Sequence, residues 1–244
     1  MKRLFCVFLL LAIAICSASI AETKSVEAVF VKDYAQLFTQ ADGSLTMLDT
    51  AWLYYSDMTF EQYVIIDDQV TLFSQGTYHL EDGSDFDLSN SAHDLVLITR
   101  TSKYNAQDGL QPYNSQHVYD LNKIGYEQIL DRGKDAHLMA AFLGAEKQPY
   151  GIGMVDSIWL YYSDHSFEQY AYMDHFHPTL FSEGTWSLSE GADFDLLSEK
   201  EDYGQLTLIR TKKLQDGIGY AAYSSEHTYV LKTLGYKQIA YIEE

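Results

Sequence analysis

From Thr59 to Ile66 the chain alternates with a period of two. Phe60, Gln62, Val64 and Ile66 fall on one face of an extended strand; Glu61, Tyr63 and Ile65 fall on the other. Tyr, Val, Ile, Thr and Phe dominate this run and those around it, and such residues suit a pleated, half-buried surface. Ser56-Asp57 and Ser163-Asp164 separate runs of this kind and read as hairpin turns. Asp82-Gly83 is a further turn signal. Gly76 and Gly184 interrupt strand-like runs, where a bend or bulge is expected.

The pattern is written twice. "AWLYYSDMTFEQY" (51–63) and "IWLYYSDHSFEQY" (158–170) agree at ten of thirteen positions. Matches continue in order: "TLFSQGTYHL" (71–80) with "TLFSEGTWSL" (179–188), then "GSDFDL" (83–88) with "GADFDL" (191–196). "LVLITRT" (95–101) matches "LTLIRT" (206–211) with one gap, and "HVYDLNKIGYEQI" (117–129) matches "HTYVLKTLGYKQI" (227–239). Ordered matches with small gaps mean a tandem duplication. The units run from about 28–131 and 132–244. Each has a lead-in, "KDYAQLF" (32–38) or "KDAHLMAAF" (134–142). In the second, Leu138, Met139 and Phe142 are spaced like one helix face, with Asp135 as a cap.

The expected fold is therefore all-β and mainly antiparallel. It consists of two tandem homologous domains, each a short helix followed by a meander of six or seven strands, with "WLYYSD" as first strand and first turn. A meander this apolar should curl into a small barrel or half-barrel. A sandwich formed by each copy is the alternative. With Gly184-Thr185-Trp186, the short helix and the meander, each unit loosely resembles the lipocalin-like (calycin) domains at fold level. In lipocalins the Gly-x-Trp opens the first strand. Here it falls mid-repeat, and the first copy has Gly76-Thr77-Tyr78.

The N-terminus changes the picture of where the protein works. Lys2 and Arg3 precede an apolar run from Leu4 to Ile15, and small residues follow around Ser17–Ala21. This is the order of a secretory signal peptide, residues 1–21, with cleavage after Ala21. A lipid anchor on Cys16 is the rival reading, although Ile15 stands where a small residue is wanted. The run is short for a membrane span, and no later segment suggests one. The expected location is secreted or cell envelope. Cys6 and Cys16 are the only cysteines, so the processed chain has no disulfide, thiol nucleophile or thiolate metal site. The net charge is −19, from 16 basic and 35 acidic residues, which disfavours nucleic acid as a partner.

Few residues suggest chemistry. Arg100 and Arg210 hold equivalent places in otherwise apolar strands. They read either as an anion or carboxylate site, or as structural cations stacked on Trp52 and Trp159 or paired with Glu61 and Glu168. His117 and His227 are also equivalent, each two residues before a tyrosine, and read as structural. No "G-x-S-x-G" or "H-E-x-x-H" pattern occurs. His175 and His177 would share a strand face and could supply two metal ligands, without a third in reach. Asp85 with Asp87, and Asp193 with Asp195, are paired carboxylates that read as an acid/base pair, as part of a calcium site, although neither stretch has the order of a calcium loop, or as the wet face of an edge strand. The chain carries 20 Tyr, 12 Phe and 3 Trp. Tyr113, Tyr220 and Tyr223 are the candidates for exposed, ligand-stacking rings.

The leading expectation is an exported, non-enzymatic binding protein for a small ligand, a glycan or a protein surface, with no cofactor. A structural envelope module and a hydrolase using paired Asp residues are the alternatives. A hollow apolar barrel would favour the first, and a solid core the envelope module.

Overall fold

The computed structural model describes residues 24–67, 69–86, 94–121, 123, 127–128, 136–147, 154–171, 179–196 and 203–242, with backbone alone at 33–35, 127–128, 145–147 and 154–156. The first repeat contributes β1 (Val26–Thr39), β2 (Leu45–Tyr55), β3 (Thr59–Ile66), β4 (Gln69–Leu80), β5 (Leu95–Asn105), β6 (Gly109–Asp120) and β7 (Glu127–Gln128). The second contributes β8 (Leu138–Lys147), β9 (Met154–Tyr162), β10 (Ser166–Ala171), β11 (Thr179–Leu188), β12 (Gln205–Gln215), β13 (Gly219–Val230) and β14 (Lys237–Tyr241). Each repeat is one antiparallel sheet of seven strands. The orders are β6-β5-β4-β3-β2-β1-β7 and β13-β12-β11-β10-β9-β8-β14. Six strands thus run as a meander, and the seventh returns beside the first.

That return fixes the curvature. In a flat sheet, six spacings of about 4.8 Å would set the seventh strand about 29 Å from the sixth. Residues 231–236 connect β13 to β14, and Leu231–Thr233 form a 3-10 turn. Such a link reaches only about 20 Å. The sheet must curl to meet it. The ladder is nonetheless open at β6 and β13 among the described residues, so each sheet is a half-barrel.

The described lead-in segments are strands, not helices: β1 spans 32–38 and β8 takes up the second from Leu138, while Asp135, the expected cap, lies outside the described residues. β8 has apolar neighbours on each side. Leu138, Ala141 and Leu143 pack into one core cluster, and Ala140 and Phe142 into another. A register shift between Leu138 and Ala140 adds one residue to the period. The bulge therefore places Leu138 and Ala141 three apart on one face, a spacing that imitates a helix. "WLYYSD" is accordingly the second strand and its turn. Asp57 accepts the backbone N–H of Thr59 at 3.0 Å, and Asp164 accepts that of Ser166 at 2.8 Å. Met58 and His165 complete the two turns with φ of 61° and 64°.

Inside each half-barrel lies an aromatic cluster. In the first, Phe30, Trp52, Tyr54, Phe60 and Tyr78 surround Phe86, which is fully buried. In the second, Phe142, Trp159, Tyr161, Phe167 and Trp186 surround Phe194. The two phenylalanines sit in loops and plug the interior from one end. Gln238 on β14 clamps the second loop: its side chain donates to Phe194 O and accepts from Leu196 N–H at 3.0 Å. Trp186 donates its indole N–H to Tyr162 O at 3.1 Å, and Tyr78 reaches Tyr55 O in the same way at 2.9 Å. The Gly-Thr-Trp segment therefore serves a tie across the fourth strand of its sheet.

The opposite faces of the two sheets pack on each other. Val29, Val31, Ala51, Leu53 and Ile65 of the first share a cluster with Leu138, Leu143, Ile158, Leu160 and Ile239 of the second. A sandwich within each copy does not form; face-to-face packing occurs between copies. On this face Glu61 accepts hydrogen bonds from Tyr55 at 2.8 Å and Tyr63 at 2.9 Å. Glu168 accepts from Tyr162 at 2.9 Å and Tyr170 at 3.3 Å.

Candidate functional site

Beyond the aromatic plug, the half-barrel interior becomes polar. Arg100 stands on β5 opposite Gly76 of β4 and Ser115 of β6. A Cβ at Gly76 would collide with the carbonyl of Thr99, so this strand pair accepts only glycine there, and the register shifts between Gln75 and Gly76. Gly184 repeats the arrangement opposite Arg210. Both expected bulges are present. They also show that the two arginine strands align without the gap inferred from sequence: Val96-Leu97-Ile98-Thr99-Arg100 corresponds to Leu206-Thr207-Leu208-Ile209-Arg210.

Arg100 is 8% exposed, and its guanidinium lies 5.4 Å from the Trp52 ring. Its Nε donates to Ser74 Oγ at 3.4 Å and its Nη2 to Tyr119 OH at 3.2 Å. Ser74 in turn donates to Gln62 Oε1 at 2.8 Å, and Gln62 Nε2 donates to Gln36 Oε1 at 3.2 Å. Arginine is thus a stacked cation on tryptophan, as one structural expectation had it. The other, a pair with Glu61 or Glu168, is not found. Those carboxylates lie on the opposite face of the sheet, held by tyrosines.

One side of this layer is open. A cleft of about 170 Å³ is lined by Gln36, Phe73, Arg100, Lys103, Tyr113, Ser115, His117 and Tyr119. Lys103 lies 5.5 Å from the ring of Phe73 and 5.5 Å from that of Tyr113, held between two aromatic faces. Among the described residues neither Arg100 nor Lys103 forms an ion pair, and no carboxylate lines the cleft. Ser115 Oγ is buried without a hydrogen-bond partner among the described residues. The cleft therefore offers two fixed cations, hydroxyls and an imidazole in a chain of net charge −19. Such a set accepts an anion through charge-assisted hydrogen bonds.

The sequence candidates divide on this frame. Arg100, Tyr113 and His117 meet in the cleft. Arg210, Tyr223 and His227 occupy the equivalent frame of the second repeat. Tyr220 does not join them. Its hydroxyl bonds Glu183, which is paired with Lys212 at 2.7 Å, whereas Lys213, the next residue, points to the other face and packs on Tyr223. Burial, the bond to Glu183 and the charges of Glu183 and Glu168 raise the Tyr220 phenol above the ordinary tyrosine range. Asp85, Asp193 and Asp195 lie on loops, not on a strand face. Asp85 donates its N–H to Asp94 Oδ1 at 3.1 Å, and Asp193 accepts the N–H of Asp195 at 3.0 Å. Asp87, His175 and His177 fall outside the described residues. Among the described residues no group of three or more His, Cys, Asp or Glu could hold a metal, and no helix is long and apolar enough to cross a membrane.

Lys103 and Lys213 were not legible as site residues, although each stands three positions after its arginine. That shared offset was the available signal. Compared with known protein families, with characterised proteins and with solved structures, the chain matches none.

Proposed function

We propose that this chain is an exported, non-enzymatic binding protein whose ligand is a small organic anion. One observation carries the reading: Arg100, Lys103, His117 and Tyr119 converge on an open cleft with no carboxylate in its wall among the described residues, inside an otherwise acidic protein. Its volume of about 170 Å³ suits a single six-membered ring, since a cavity of about 150 Å³ takes up benzene. A ring carrying one carboxylate, as in a sugar acid or an aromatic acid, matches both the cations and the aromatic walls. Export rests on the leader at 1–21, which lies outside the described residues.

The test is calorimetric titration of the processed protein with benzoate and glucuronate at low and high salt. Binding should weaken as salt rises. Arg100→Met should weaken it ~10–100-fold, the loss of a charge-assisted hydrogen bond. Absence of heat with both acids would refute the reading.

A second reading, an interaction module without small ligand, draws support from the filled aromatic interiors around Phe86 and Phe194. It expects no heat with either acid. The hydrolase alternative has less support, because Asp193 is engaged in its own turn.

A further inference from the structure

We infer that the second repeat carries its own anion site, centred on Arg210, and that it is the tighter of the two. The inference rests on the reading of the Arg100 cleft as an anion site, and extends it to a bivalent molecule.

The frame is reproduced in its cation–ring contacts, while the ladder place of Gln36, opposite Leu48, is taken by Glu146, opposite Val155. Arg210 lies 5.5 Å from the Trp159 ring, where Arg100 lies 5.4 Å from Trp52. Lys213 lies 5.0 Å from Phe181 and 5.5 Å from Tyr223, the counterparts of Phe73 and Tyr113. His227 stands 6.3 Å from Tyr229, and His117 stands 6.0 Å from Tyr119. Ser225 sits opposite Arg210 in the ladder as Ser115 sits opposite Arg100, and both hydroxyls are buried without a partner among the described residues.

The difference lies in how each guanidinium is satisfied. Arg100 already donates to Ser74 and Tyr119. Arg210 is 7% exposed, and its Nε has no acceptor among the described residues. In the polar layer beneath, Gln62 donates to Gln36 at 3.2 Å and Gln169 donates to Ser157 at 3.3 Å. Ser182 still donates to Gln169 at 2.8 Å, but Arg210 does not reach it as Arg100 reaches Ser74. A buried cation with an unused donor is a cost that an incoming carboxylate removes. The first site offers a ligand less, because its arginine gives up protein bonds in exchange. Two linked sites of one chemistry would bind a polymer bearing repeated carboxylates more tightly than its monomer, provided both can be reached at once.

The experiment titrates the whole processed chain with benzoate and with glucuronate, and compares Arg100→Met, Arg210→Met and the milder Lys213→Gln. The two acids separate an aromatic from a sugar source of the carboxylate. Circular dichroism verifies that each variant is folded, and Lys213→Gln serves where Arg210→Met is not. The expected result is two equivalents bound per wild-type chain, loss of the tighter in Arg210→Met, loss of the weaker in Arg100→Met, and about tenfold weakening of the tighter in Lys213→Gln. A single equivalent abolished by Arg100→Met and untouched by Lys213→Gln overturns the second site and leaves the first standing. A single equivalent abolished by the Arg210 or Lys213 change alone upholds the second site and overturns the first cleft. Loss of the tighter equivalent in Arg100→Met overturns the ranking, and no binding of either acid overturns both.

Discussion

Replacing Phe86 or Phe194 with Ala would remove the ring at the centre of an aromatic cluster, with Tyr54 or Tyr161 centred 4.9 Å away. The expected cost is about 3–5 kcal/mol in urea unfolding, because the surrounding rings belong to strands and cannot collapse into the hole. Arg100→Met should cost about 1–3 kcal/mol through lost hydrogen bonds and stacking. Tyr55 and Tyr63 tie stability to pH. Burial, with the Glu61 carboxylate adding to it, holds both phenols protonated well above the ordinary tyrosine range. A folded value raised above the unfolded one stabilises fully below about pH 10 and is lost as pH climbs past it. The urea midpoint should therefore fall between about pH 9 and 11, and fall less in Tyr55→Phe/Tyr63→Phe. An equal fall in that variant would place the alkaline sensitivity elsewhere.

At the scale of the element, Gly76 and Gly184 let β4 meet β5 and β11 meet β12. Gly76→Ala should destabilise the chain by about 1–3 kcal/mol, since the methyl group must displace backbone at Thr99. It should also disturb carboxylate binding in the first repeat, because Gly76 faces Arg100 across the ladder. Titration and urea unfolding of the same variant check both. These bulges were legible in sequence, because a glycine inside an alternating run marks a bulge or a close approach of two backbones. So were the turns, the duplication and the arginine pair, which rest on composition and local order. The lead-in strands were not. β8 is buried on both faces from Ala140 to Leu143, so its alternation is hidden, and a bulge supplied a helical spacing. Lys103 and Lys213 were missed for a different reason. A lysine on a strand reads as solvated, and only the curl of the sheet brings it over Phe73 or Phe181. Tyr113, Tyr220 and Tyr223, expected in the longer loops before the sixth strand, lie on β6 and β13, and the period of two sets Tyr220 and Tyr223 on opposite faces.

At the scale of the molecule, the apolar seam between the sheets decides whether a repeat can live alone. Val29, Leu53, Leu143 and Leu160 are buried there, each with an exposure of 0–1%. Residues 24–131 produced without the second repeat should expose this surface, and light scattering should find dimers or aggregates rather than a monomer. A stable monomer would mean that the repeats fold separately and dock afterwards. The same seam gathers the two ends of the fold. Val26 opens β1 opposite Tyr55, whose hydroxyl lies 3.5 Å from the carbonyl of Ile239 near the close of β14. The first and last strands thus converge on one spot, and the order in which the chain is written is not dictated by the shape it takes. A short Gly-Ser bridge from Ile242 to Lys24, with new ends opened between the exposed turn residues Gln107 and Asp108, should give a rearranged chain that melts within a few degrees of the original.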